Sequence, residues 1–82
     1  MFETIKKNLI DNFLLKNYRY HCVRNQQAIF DYIAERFPFP FTVEHNKSIS
    51  TMTVNMGDNV IFDIDFTWEF RENNTYKLVN IS

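Results

Sequence analysis

Asp63 and Asp65 are the residues of this chain whose type and spacing come closest to a chemistry. Two positions apart in an extended segment, their carboxylates point the same way, about 6.5–7 Å apart along the strand. Paired carboxylates at such distances cleave glycosidic bonds or hold a cation. Glycoside cleavage also needs a cleft around the sugar and an environment that raises one carboxyl pKa, and a flat, solvated sheet face offers neither. Nor does the sequence contain an Asp-x-Asp-x-Asp-Gly loop for calcium. His21, Cys22 and His45 are the soft ligands, one short of a structural zinc set, and the adjacent His21 and Cys22 would point to opposite faces of a strand. A Cys22–His45 nucleophile–base pair has no supporting motif. With one glycine in 82 residues, phosphate-binding loops and nucleophile elbows are ruled out. The expectation is therefore a protein that is not an enzyme and uses no metal or cofactor.

The elements that must position the carboxylates can be read from periodicity. From Phe62 to Arg71 large apolar and polar residues alternate, so Val60, Phe62, Ile64, Phe66, Trp68 and Phe70 share one strand face and Asp63, Asp65, Thr67, Glu69 and Arg71 the other. A two-residue turn at Asn73-Asn74 sets Phe70 opposite Lys77, Trp68 opposite Val79 and Phe66 opposite Ile81, with Glu69 opposite Leu78 and Arg71 opposite Tyr76. A three-residue loop at Gly57-Asp58-Asn59 sets Val54 opposite Phe62 and Met52 opposite Ile64. A two-residue loop there would turn Val54 to water, and a one-residue slip flips every side chain, so the odd loop is preferred. Asn46-Lys47 then pairs Val43 with Ser50 and Phe41 with Met52.

Upstream, Phe2, Ile5, Leu9 and Phe13 recur at steps of three and four, which predicts an amphipathic helix over residues 2–16. A second helix is capped by Asn25, carries Ile29, Phe30, Ile33 and Phe37 on its stripe, and stops before Pro38. Residues 18–23 alternate briefly and suit a short edge strand or a connector. The expected fold is α+β: one domain over 1–82, with two N-terminal helices packed on one face of a four-stranded antiparallel meander. In outline it resembles cystatin-like and NTF2-like architectures, a likeness that carries no function.

Composition narrows the partners. Apolar residues make up 45% and aromatics 17% of the chain, enough to build a core without staples, and the single cysteine excludes an internal disulfide. The net charge of −1 argues against nucleic acid. Residues 1–40 carry six Lys/Arg and four Asp/Glu, residues 41–82 three and six, so the sheet half is the acidic one. The interleaved Tyr18, Arg19, Tyr20, His21 and Arg24 are too thin a cluster to change that reading. No apolar run of membrane-spanning length and no signal-peptide core occur, which makes the cytoplasm the expected compartment.

What remains is recognition. The leading expectation is a protein–protein binding module, of the kind used as inhibitors or modulators by phages and mobile elements, and a chain rich in Asn, Lys and Ile suits an AT-rich genome. Asp63, Asp65 and Glu69 would supply charge, with Thr51 and Thr53 as polar neighbours. Phe39, in the stiff Phe37-Pro38-Phe39-Pro40-Phe41 connection, would either plug the core or anchor a partner. The alternatives are an apolar ligand pocket lined by Phe30, Met52, Phe62 and Trp68, with Tyr20 or His45 as polar contacts, and a homo-oligomer joined through a sheet edge or Phe39.

Overall fold

A computed structural model describes residues 2–15 and 22–82 of the chain. Helix α1 spans Phe2–Leu9 and runs into a π-helical segment, Ile10–Leu15. Strand β1 is Cys22–Val23, helix α2 Gln27–Arg36, β2 Phe41–His45, β3 Ile49–Asn55, β4 Ile61–Phe70 and β5 Tyr76–Ile81. The five strands form one antiparallel sheet in the order β1-β5-β4-β3-β2. The class is α+β, with one strand more than the meander predicts. Cys22 and Val23 pair with Lys77 and Tyr76 and so extend the sheet past β5. Residues 18–21 lie outside the described residues, and so do the roles expected of Tyr18, Arg19, Tyr20 and His21.

The first helix also differs from expectation. It is α-helical only to Leu9 and then widens to i→i+5 bonding, although no Pro or Gly interrupts the segment. The second helix starts one residue later than its expected cap implies: Gln26 holds the N-cap position without a side-chain bond, and Asn25 precedes it. Asn25 accepts the Gln27 N–H on Oδ1 at 2.9 Å, and the Phe37 N–H closes the last turn on the Ile33 carbonyl at 2.7 Å, ahead of Pro38.

Three loops decide which side chains meet. At Gly57-Asp58-Asn59 the expected register holds: Val54 faces Phe62, and all three loop residues have positive φ, a conformation open to Gly and tolerated by Asp and Asn. At the β2–β3 turn, Asn46 Oδ1 accepts the N–H groups of Ser48 and Ile49, which widens the loop. Val43 therefore faces Met52 and Phe41 faces Val54, two residues from the predicted pairing but on the same faces. At the β4–β5 turn Arg71 and Thr75 close a loop through Asn74, which also has positive φ. Phe70 thus faces Tyr76 and Trp68 faces Leu78, and a bulge between Thr67 and Trp68 restores the predicted Phe66–Ile81 pair. The correction matters for the core: Leu78 is buried, whereas Val79, expected inside, is 44% exposed. It also places Glu69 opposite Lys77, not Leu78.

The core joins Leu9 of α1 and Ile29, Phe30 and Ile33 of α2 to Met52, Val54, Ile64, Phe66, Trp68, Leu78 and Ile81 of the sheet. Each such side chain, fully buried, contributes about 1.5–3 kcal/mol. Phe2 closes one end, its ring centroid 4.5 Å from that of Phe62. Both helices thus lie against one sheet face, and no described element covers the other. No helix among the described residues is long and apolar enough to cross a membrane.

Candidate functional site

The uncovered sheet face carries two polar rows at its centre. One runs Thr42–Thr53–Asp63 across β2, β3 and β4, the other Glu44–Thr51–Asp65. Strand pairing alone creates them, because residues facing each other in an antiparallel ladder share a side. Thr53 Oγ1 donates to Asp63 Oδ1 at 2.8 Å and Thr51 Oγ1 donates to Asp65 Oδ1 at 2.9 Å. Each hydroxyl fixes one carboxylate oxygen and leaves the other free to accept. The structure thus brings together four of the six residues singled out from the sequence.

Glu69 lies further along β4, where its carboxylate faces Lys77 and stands 3.9 Å from the Arg71 guanidinium. Such an exposed, long pair is worth little, at most about 1 kcal/mol. Phe39 belongs elsewhere. It is half-buried in the helix layer, 5.7 Å from the Phe37 ring, which in turn stands 5.8 Å from Phe41. Two residues of the face, Thr42 and Glu44, were missed from the sequence. The alternation of Phe41 and Val43 with Thr42 and Glu44 was the available signal, but the two-residue shift at the β2–β3 turn hid their row partners.

Glu44, Asp63, Asp65 and Glu69 give this face four carboxylates, and two cations stand at its Glu69 end, Lys77 opposite in the ladder and the Arg71 guanidinium. Among the described residues no three His, Cys, Asp or Glu side chains gather to hold a metal. Ile49, Ile61 and Val79 add exposed apolar area around the polar rows, Ile61 being 61% accessible. Cys22 is exposed on β1, beside Lys77.

The residues proposed to line a pocket have another role. Phe30 and Met52 are fully buried, Trp68 nearly so, and Phe62 is covered by Phe2. The open spaces lie to the side: about 600 Å³ between α1, α2 and the Phe37–Phe39 turn, and about 690 Å³ between α2 and β2.

His45 is held in a chain of hydrogen bonds rather than in a reactive pair. The Trp68 indole N–H donates to Ser50 Oγ at 2.9 Å, and Ser50 lies 2.7 Å from His45 Nδ1. His45 Nε2 stands 2.7 Å from Gln27 Oε1, and the Gln27 amide nitrogen donates to Asp31 at 3.0 Å. Gln27 Oε1 can only accept, so His45 Nε2 donates, and in the neutral ring Nδ1 then accepts the Ser50 hydroxyl. Burial favours that neutral ring, pulling the imidazole below its ordinary pKa of 6.5. Below that value the unfolded chain takes up a proton that the folded ring resists. The contribution is complete above pH 6.5 and is lost as pH falls toward the lower folded value. Unfolding free energy, measured by urea titration, is expected to decline between pH 7 and 5, and more shallowly in His45→Gln. Equal slopes would remove His45 as the cause.

No protein-family model, no curated protein and no solved structure matches the chain, so what the open face does is read from its own geometry.

Proposed function

We propose that the chain is a small binding protein whose carboxylate- and threonine-bearing sheet face docks on a basic surface of a protein partner, as an inhibitor or modulator would. The observation that supports this most is the pair of rows Thr42–Thr53–Asp63 and Glu44–Thr51–Asp65, in which strand pairing holds three carboxylates without a cation in either row. β3 and β4 are paired on both sides, and the threonine hydroxyls already orient Asp63 and Asp65, so these two carboxylates lose little freedom on docking. Lys and Arg side chains of a partner would find free carboxylate oxygens, and the aliphatic rim at Ile49 and Ile61 would exclude water around them.

The test begins with affinity capture from source-cell lysate, and the captured protein is then purified for kinetics. Asp63→Lys/Asp65→Lys is expected to lower the association rate at least ~10-fold at low salt, and added salt should slow the wild type in the same way. Glu3→Lys/Glu35→Lys, which alters the helix layer by as much charge, should leave the rate within about twofold. Both variants must keep the wild-type circular dichroism spectrum and melting temperature. Equal association by folded Asp63→Lys/Asp65→Lys would overturn the reading.

A further inference from the structure

β2 ends the sheet, and its outer side is an open row of backbone donors and acceptors. The Asn46 N–H bonds the Ile49 carbonyl at 2.9 Å and the Asn55 N–H bonds the Pro40 carbonyl at 3.0 Å. In an antiparallel ladder the bonded pairs recur every second residue, so Thr42 and Glu44 also turn their backbones toward β3. Phe41, Val43 and His45 therefore turn theirs outward, and none of these N–H or C=O groups has a hydrogen-bond partner among the described residues. Natural edges are usually blunted by Lys, Pro or a bulge. Phe41–His45 contains none of these. Beside the edge, the space of about 690 Å³ toward α2 is floored by Phe30, Phe41 and Val43.

We propose that this edge pairs with the same edge of a second copy, joining two five-stranded sheets into one. Three outward residues centred on Val43 are self-complementary under a twofold axis. Val43 faces the partner's Val43 and Phe41 faces the partner's His45, with two backbone bonds for each facing pair. On the open face Glu44 stands opposite the partner's Thr42, with no like charge across the seam. Shifting the register by two residues toward the C-terminal end would put Glu44 against its own copy, which is repulsive. Shifting the other way leaves two bonded facing pairs in place of three. Charge and hydrogen bonding therefore select the same alignment. On the inner side, the apolar Phe41 and Val43 side chains of the two copies line a common floor. This assembly is independent of whether the acidic face has a partner.

The test is sedimentation equilibrium of the purified chain from micromolar to millimolar concentration. Wild type is expected to move from the 10.0 kDa monomer to twice that mass. Val43→Pro removes an outward N–H that β3 does not use together with some side-chain contact to the core, and should stay monomeric with a modestly lowered melting temperature. Thr42→Lys sets a cation opposite the partner's Glu44 and should tighten the dimer roughly three- to tenfold; Thr42→Glu should loosen it by a similar factor. These opposite shifts at one exposed site read the register even if the proline variant fails to fold. A wild type monomeric throughout overturns the proposal and leaves the edge to a strand from another protein. So does a dimer indifferent to both Thr42 substitutions, which would be joined elsewhere.

Discussion

Phe66→Ala is expected to lower the unfolding free energy by about 3–5 kcal/mol, the range for removing a buried aromatic ring from a core that cannot collapse around the gap. Phe66 sits midway along the central strand β4, is fully buried, and meets the Phe30 ring edge-on at a centroid distance of 4.8 Å. Its strand neighbours are Ser50 and Ile81, both fixed by backbone ladders, so neither can move in to fill the void. For a chain of this length the whole margin is about 4–12 kcal/mol, at 0.05–0.15 kcal/mol per residue. The variant should therefore melt near ambient temperature or fail to fold. Phe39→Ala gives the contrast: that ring is half-buried and borders open space, so its removal should cost no more than about 1.5 kcal/mol. Urea denaturation followed by circular dichroism distinguishes them, and similar losses would show that Phe66 is less enclosed than the structure has it.

The second large effect concerns a polar group in the apolar face. Ser50 is fully buried between Trp68 and His45 and serves both. Ser50→Ala leaves the Trp68 N–H and His45 Nδ1 without their partner, each at about 1–3 kcal/mol if water does not enter. His45 is the more exposed of the two and recovers part of its loss from solvent. A net destabilisation of about 2–4 kcal/mol is expected. Trp68→Phe removes the donor along with some contact area, and in that background Ser50→Ala should cost at least about 1 kcal/mol less than in the wild type. A double-mutant cycle by chemical denaturation measures the coupling, and additive losses would dissolve the link.

The same residues show how far the sequence could be read. Alternation in β4 was unbroken, so the acidic and aromatic faces were legible, and with them the pairs Thr53–Asp63 and Thr51–Asp65. The odd loop at Gly57 followed from one consideration, that Val54 must not face water. The bulge after Thr67 left no such trace. Lys77, Val79 and Ile81 alternate as acceptably as the observed set, and only the wider turn through Asn74 tips the choice toward Leu78. Ser50 carried a signal that passed unused: a hydroxyl in register with Met52 and Val54 needs a buried partner. Its partners are distant in sequence, and no local pattern identifies them.

Cys22 gives the molecule a single chemical handle at a useful place. The thiol is exposed on β1, the sheet edge opposite β2, and it is the only cysteine in the chain. One dye attached there marks each protomer once, without touching Phe41–His45 or the central carboxylate rows. In the joined sheet the two labels stand nine strand steps apart, ~43 Å across the strands at about 4.8 Å per step, and they are offset further along the strands because Cys22 is level with Glu69 and Val43 with Ile64. The protein thus carries its own ruler: a span within reach of energy transfer between dyes, with no residue added or replaced.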